Sequence, residues 1–385
     1  MKWVSEFATA HTKLFYYNEV TERTCRIILP CNLTGTKIRV KLSNRFGEGE
    51  ALIGAMTAAI CDAKGTLKEE TLQVITVGGR DAFGVPAGGD LYTDEVPLAP
   101  AAGQYVAVSM YFPAQGRIAS GGCIGHYTIR SIPGDYTGAA AFEADPIMVD
   151  GEYNGQKFFY EPESPLPVFQ SLEVCTQDDV CAAAILGDSI TAMDLWVRPF
   201  ADALYAAYPG RVSCCNLGVS GNCLFHDSPA MFDNAFGIAG VNRFDADVLQ
   251  LAGVKYCLLL IGTNDLGYPA ILPGAAEATI GEFRAAYRSL ADRAKEQGIE
   301  TIALTLLPRQ DVMMTPEREQ VRQEVNRMLL EEGIFDQVID LEAVLRGDDG
   351  ALRPELYADD GLHVSAAGGA KLAEYISYRS MQPRP

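Results

Sequence analysis

Four short polar segments in the second half of the sequence contain residue types suited to nucleophilic catalysis. The first, residues 187–191 (GDSIT), follows an apolar run, and its glycine permits a tight turn after which Ser189 opens a helix. Backbone N–H groups at the positive end of a helix dipole surround a serine in that position. Taken alone, an N-cap serine is the simpler interpretation, but the position also suits a nucleophile whose attack creates an oxyanion.

The next two segments contain groups that could donate hydrogen bonds to that oxyanion. Residues 216–222 (NLGVSGN) place Gly218 at the end of a strand-like run, where a backbone N–H can approach a ligand closely. Residues 262–265 (GTND) place Asn264 just after a very apolar run, and its amide is a neutral donor for developing negative charge. Each segment alone is also a common turn. Together with the Ser189 N–H, they predict an oxyanion hole.

The fourth segment, residues 360–363 (DGLH), contains an acid and a histidine three residues apart. We expect the two to face each other on one helical turn, so that Asp360 orients His363 and leaves its second nitrogen for Ser189. An isolated D-x-x-H is more often a surface loop. A nucleophile, two oxyanion donors and an acid–histidine pair within one predicted α/β domain nevertheless predict serine catalysis, which needs no metal or organic cofactor.

The elements that must position these residues follow two patterns. Up to about residue 170, short runs rich in Val, Ile and Tyr are separated by Gly, Asn and Pro, which predicts an antiparallel sandwich. From about residue 171, apolar runs alternate with amphipathic stretches, which predicts a parallel sheet covered by helices on both faces. We therefore expect domains at 1–170 and 171–385, with the proline-rich residues 161–167 as a linker.

The individual elements are predicted as follows. Strands of the first domain are expected at 25–30, 37–42 and 105–112. Strands of the second are expected at 182–186, 212–217, 257–261, 301–306 and 337–341. Helices are expected from the first of these runs to Tyr208, then at 279–297, 315–332 and 365–378, the last capped by Ser365. Because ligands bind at the carboxyl ends of parallel strands, the first three polar segments are expected to meet there.

Composition weighs against several classes of partner. The formal net charge of −19 repels phosphate backbones and anionic lipid, so we expect neither a nucleic-acid nor a membrane partner. No apolar stretch near the N-terminus resembles a signal peptide, and we expect a cytoplasmic protein. The ten cysteines include no C-x-x-C pair and are expected to be buried thiols in a reducing compartment. With only four histidines, a His-rich metal site is not expected.

With these segments in place, residues 171–385 resemble the SGNH (GDSL-like) hydrolase superfamily. The resemblance implies a flavodoxin-like three-layer α/β domain and a serine esterase. The family's functional residues fall on five positions of this chain: Ser189, Gly218, Asn264, Asp360 and His363.

The first half carries a resemblance of its own. Residues 39–47 (RVKLSNRFG), with 108–109, 111–113 and 241–248, are similar to xylan-esterase-like SGNH proteins that have a β-domain before the catalytic domain. This implies a jelly-roll-like accessory domain and hydrolysis of short acyl esters, chiefly acetyl, on oligosaccharides. Two alternatives remain open: a short-chain lipid or thioester hydrolase, and a carbohydrate-binding protein with a vestigial site. The intact set of functional residues argues against the second.

Four further residues have no firm assignment. His226 could line the cleft, although a plain loop histidine is the simpler interpretation, and Tyr268 could stack against a sugar ring. Trp196 is expected in the core, and His126 is expected to be a satisfied sheet histidine.

Overall fold

The computed structural model describes residues 1–14, 20–122, 127–144, 149–153, 156–160, 166–347, 351–376 and 381. The chain forms two compact units. The first contains residues 1–180 and 209–213, and the second contains residues 181–208 and 214–385.

The first unit is an antiparallel β-sandwich. Its strands are β1 (Lys2–Ala8), β2 (Thr12–Lys13), β3 (Arg23–Cys31), β4 (Lys37–Ser43), β5 (Ala51–Ile53), β6 (Ala55–Cys61), β7 (Gln73–Val74), β8 (Phe83–Val85), β9 (Asp90–Tyr92), β10 (Gln104–Phe112), β11 (Ser120–Gly122), β12 (Thr128–Pro133), β13 (Val149–Tyr153), β14 (Gln156–Tyr160), β15 (Leu166–Pro167) and β16 (Phe169–Thr176). The two largest sheets have the orders β1-β16-β4-β9 and β12-β3-β10-β6-β7. The strands predicted at 25–30, 37–42 and 105–112 are confirmed as β3, β4 and β10.

The central strand of the five-stranded sheet of this unit is buried. β10 pairs antiparallel with both β3 and β6, so it is central and its residues 106–110 are buried. Ile28, Ala59 and Ala107 pack together in one apolar cluster of this sheet. Of the predicted linker, residues 161–165 lie outside the described residues. Leu166 and Pro167 form β15, which pairs with β11, so they are part of a sheet.

The second unit is a three-layer α/β domain on a five-stranded parallel sheet. Its strands are β17 (Cys181–Gly187), β18 (Val212–Gly218), β19 (Val254–Leu260), β20 (Glu300–Leu304) and β21 (Gln337–Ile339), and the sheet order is β18-β17-β19-β20-β21. β17 is buried along its whole length, as expected for a strand covered on both faces. The order, 2-1-3-4-5 within the unit, is that of flavodoxin-like sheets, so the predicted fold class is confirmed.

Helices cover this sheet, and their ends follow sequence signals. They are α1 (Ser189–Ala192), α2 (Val197–Ala207), α3 (Gly240–Phe244), α4 (Thr263–Ile271), α5 (Ile280–Glu296), α6 (Pro316–Glu331), α7 (Glu342–Leu345) and α8 (Ala366–Tyr375). Thr279 and Glu282 form a capping box at the start of α5, and Thr315 caps α6. The predicted cap Ser365 accepts from the Gly368 N–H, but α8 ends at Tyr375, before the predicted end.

The cysteines and the helices bear on two expectations drawn from composition. The nine cysteines in the described part of the chain carry thiols and form no disulfide with one another, and eight are buried; Cys123 lies outside it. Within the same part, no helix combines the length and apolar character needed to cross a bilayer.

β18 ends in close packing against α1. A Cβ on Gly218 would lie 2.4 Å from the backbone nitrogen of Ala192 and 2.7 Å from its Cα. The absence of a side chain at Gly218 therefore allows the end of β18 to approach α1, the helix that begins at Ser189.

We predict that Gly218→Ala destabilises the protein by about 1–3 kcal/mol, because the methyl group meets backbone that cannot rotate away. Urea unfolding measures the change. Gly281→Ala is the matched control, since a Cβ there would meet only Thr279 Oγ1, at 3.8 Å. Equal stability of the two variants would contradict the close packing described at Gly218.

Candidate active site

The predicted polar segments meet at the carboxyl ends of the central strands. Ser189 starts α1 directly after β17, and Asn264 lies in the first turn of α4 after β19. β17 and β19 are neighbours in the sheet. The chain runs from β17 to β18 on one side and from β19 to β20 on the other. Such a switch point opens a crevice at the edge of the sheet, and His363 reaches it from the loop before α8.

A continuous hydrogen-bonded series connects Ser189, His363 and Asp360. Ser189 Oγ lies 2.8 Å from His363 Nε2, and His363 Nδ1 lies 2.6 Å from Asp360 Oδ2. Ser189 is 9% exposed, whereas the side chain of Asp360 is 49% exposed. The geometry therefore places a base within hydrogen-bonding reach of a hydroxyl, with an acid that orients the base.

The Asp360–His363 pair lies in a turn, and the expected helical turn is wrong. Gly361 has φ +67°, in the left-handed region, which breaks any helix at this point. Asp360 Oδ1 accepts from the N–H groups of Leu362 and His363, at 2.9 Å each, and so closes the turn. Burial raises the pKa of Asp360, but the bonds from the His363 side chain and from the turn outweigh it and keep the pKa below its usual value.

Asn264 is held by a neighbouring loop. Its Nδ2 donates to the backbone carbonyl of Asn222 at 2.9 Å, and the side chain is buried. An amide group carries two N–H bonds, so Asn264 can donate a second hydrogen bond to a ligand.

Gly218 does not take the expected position of a donor to a ligand. Its N–H donates to Asn216 Oδ1 at 3.0 Å, in a buried position, so this one donor is already engaged. The glycine is needed for the close approach to α1. Gly221, three residues on, has φ +75° and lines a small pocket together with Asn264.

Asp188 organises the first turn of α1. Its Oδ1 accepts from the Ile190 N–H at 3.0 Å, which caps the helix that Ser189 begins. Burial raises the pKa of Asp188 to about 7, against the lowering effects of the Ile190 N–H and of nearby Arg309 and Arg243. Asp188 is therefore a buried hydrogen-bond acceptor that holds the start of α1.

Aromatic rings form a wall of the pocket beside Asn264. His226 stacks on Tyr268 with ring centroids 4.3 Å apart and planes 6° apart. His226 Nδ1 lies 3.1 Å from Asp265 Oδ1, and the Tyr268 hydroxyl donates to the Asp227 carbonyl at 3.2 Å. Both rings are thus held in place, and His226 lines this pocket together with Asn264. The lining residues are Gly221, Cys223, His226, Asp227, Ser228, Pro229, Phe236, Asn264, Tyr268 and Ile271.

One cluster in this wall has the donor types of a metal site. The donor atoms of Cys223, His226 and Asp265 lie within 4.8 Å of one another, and such donors suit zinc. Asp265 Oδ2 already accepts from the Leu224 N–H at 2.6 Å, and Oδ1 accepts from Phe225 and His226. Both oxygens of the Asp265 carboxylate are thus already engaged within the protein.

Buried arginines lie around the site, and no sequence motif marks them. Arg309 Nη1 donates to the Thr263 carbonyl and hydroxyl, directly before Asn264, and the guanidinium pairs with Asp311. Arg243 is also buried. Of the residues without a firm assignment, Trp196 is confirmed as a core residue packed beside Phe200, and His126 lies outside the described residues.

Several solved structures are similar to the chain over about half its length. An acetyl xylan esterase from Geobacillus stearothermophilus is 22% identical, covers 51% of this chain and 94% of its own, and has a TM-score of 0.39. A lipase/acylhydrolase from Enterococcus faecalis is 18% identical, covers 54% and 100%, and has a TM-score of 0.41. A GDSL-like lipase from Bacteroides thetaiotaomicron is 20% identical, covers 52% and 89%, and has a TM-score of 0.37.

No curated protein matches the sequence. Residues 185–371 match the model of the GDSL-like Lipase/Acylhydrolase family, a range that begins in β17 and ends in α8. The match confirms the resemblance inferred from the polar segments. Residues 185–371 therefore form a domain that belongs to the GDSL-like lipase/acylhydrolase family.

Proposed function

We propose that this protein is a serine esterase that works through an acyl-enzyme. The 2.8 Å approach of Ser189 Oγ to His363 Nε2 carries the proposal. His363 takes the hydroxyl proton as Ser189 Oγ bonds to the ester carbonyl carbon. The same proton passes to the departing alcohol as the ester C–O bond breaks. Water, activated by His363, then hydrolyses the acyl-enzyme.

The oxyanion is held by hydrogen-bond donors at the same strand ends. Asn264 Nδ2 and the Ser189 N–H keep the roles expected from the sequence. We replace Gly218 with Gly221 as the second backbone donor, because the Gly218 N–H is engaged by Asn216 and Gly221 borders the pocket of Asn264. Preorganised donors of this kind are most effective in a dry site, as here.

Short acyl groups are the substrate class that the pocket supports best. The departing oxygen must lie beside His363 Nε2 to receive its proton, and we place the acyl chain in the pocket that Asn264 lines. There it meets the stacked rings of His226 and Tyr268, which are fixed by Asp265 and Asp227. A rigid wall limits acyl length, because longer chains clash instead of gaining about 0.8 kcal/mol per methylene.

We further propose acetyl esters of oligosaccharides as the substrates, with residues 1–170 as an accessory domain and 171–385 as the catalytic domain. The resemblance of residues 39–47 to xylan-esterase-like proteins supports this choice. The alternative is a short-chain lipid or thioester hydrolase with the same catalytic residues.

Ser189→Ala is expected to lower kcat/KM for p-nitrophenyl acetate by about 10⁴-fold, with His363→Ala equally damaging because the two residues act as a unit. A fluorophosphonate adduct, located by mass spectrometry, should map to Ser189 in the wild type. Adduct formation at another serine, or more than about a tenth of the wild-type rate in Ser189→Ala, would refute the proposal.

Asn264→Ala is expected to lower kcat by about 10²–10³-fold with little change in KM, since the amide acts mainly in the transition state. Asn326→Ala is the control. Asn326 is also buried, but its side chain forms hydrogen bonds with Leu306 and Glu342, which follow β20 and β21. A change confined to KM would show that Asn264 binds the ground state of the substrate instead.

A panel of p-nitrophenyl esters from acetate to octanoate tests the acyl class. We expect the highest kcat/KM at acetate, and Tyr268→Ala should shift the optimum to longer chains by opening the wall. Tyr375→Ala, an exposed tyrosine on α8, is the control. Acetate release from acetylated xylo-oligosaccharides tests the alcohol. An optimum at octanoate, or no release of acetate from any acetylated sugar, would favour the lipid-esterase alternative.

A further inference from the structure

We propose that Arg243 is a positioning residue that fixes the geometry of the oxyanion site. The inference rests on the proposed esterase function, because it assigns the support of Ser189 and Asn264 to one buried guanidinium.

The guanidinium of Arg243 joins three segments of the unit. Nη2 donates to the Gly187 carbonyl at 2.9 Å, and Nη1 donates to the Leu217 carbonyl at 2.8 Å. Nε donates to Asn222 Oδ1 at 3.0 Å. The charge is balanced by Asp247, whose carboxylate lies 3.1 Å from Nη1. The side chain of Arg243 is 1% exposed, so these bonds form without competition from water.

Two of these acceptors, Gly187 and Asn222, lie close in sequence to groups of the proposed reaction. Gly187 ends β17, two residues before Ser189, and its carbonyl also accepts from the Val219 N–H at 3.1 Å. Asn222 follows Gly221, and the Asn222 carbonyl holds Asn264 Nδ2. One side chain therefore controls the distances from Ser189 to the two other proposed oxyanion donors, Gly221 and Asn264.

The chemistry of arginine explains why this residue type is needed. Its planar fork has five N–H donors in fixed directions, so it can hold several acceptors at set angles and distances. A lysine has one ammonium on a flexible stem and cannot reproduce that pattern. Substrate positioning of this kind is sensitive, since a shift of about 1 Å can cost roughly 10²-fold in rate.

A second arginine of the same unit offers a matched control. Arg322 is also buried, and it binds the Leu306 carbonyl and the carboxylates of Glu319 and Glu342. None of these three partners belongs to the proposed site. The two arginines thus share burial and hydrogen bonding but differ in what they hold.

The experiment compares Arg243→Lys and Asn222→Ala with Arg322→Lys in the full chain. It measures kcat and KM for p-nitrophenyl acetate, inhibition by a small alkylboronic acid and stability in urea. Arg243→Lys is expected to lower kcat by about 10–100-fold with KM within twofold, and boronic acid binding should weaken by a similar factor. Arg322→Lys should lose stability but keep kcat within about twofold.

Two results would overturn the inference. One is a kcat of Arg243→Lys within threefold of the wild type. The other is an equal loss of kcat in Arg243→Lys and Arg322→Lys, which would show a general structural effect. If Arg243→Lys does not fold, Asn222→Ala decides, because it removes one of the guanidinium's acceptors and leaves the others. Failure of the esterase proposal is separate, since it would show as retained activity in Ser189→Ala.

Discussion

The hydrogen bond between Ser189 and His363 joins residues 174 positions apart, so it depends on the fold of the whole second unit. Ser189 lies two residues after the end of a fully buried strand, so the sheet fixes its position. His363 comes from a loop, and its orientation depends on the turn closed by Asp360. A hydroxyl at the end of the sheet thus meets an imidazole whose position is fixed locally, and the carboxylate that closes the turn also orients the imidazole.

Beneath the site lies a set of buried charges that makes it dry and preorganised. Burial raises the pKa of both Asp188 and Asp265, and each carboxyl accepts hydrogen bonds from backbone N–H groups. Arg243 and Arg309 are buried as well, each beside an aspartate. Charged groups of this kind are expensive to bury unless they are paired, so their presence holds the strand ends in one arrangement.

The class of the fold could be predicted, and so could the polar segments that lie at the strand ends, because apolar periodicity and short motifs are local signals. Which backbone N–H can face a ligand could not, because Gly218 and Gly221 lie three residues apart and the bond from the Gly218 N–H to Asn216 depends on the folded structure. The turn at Asp360 could not be predicted either, since the D-x-x-H spacing suits a helix whereas Gly361 has a positive φ. Arg243 has no motif at all, and its role depends on contacts across three segments.

Two aspartate–histidine pairs lie in this domain, and their surroundings separate their roles. In the first, His363 reaches Ser189 with one nitrogen, and its partner Asp360 is half exposed. In the second, His226 stacks on Tyr268, and its partner Asp265 is fully buried and engaged by backbone N–H groups. The same chemical pair therefore has a proton-transfer role in the proposed reaction where it faces a hydroxyl, and it forms a fixed wall where it is packed against a ring.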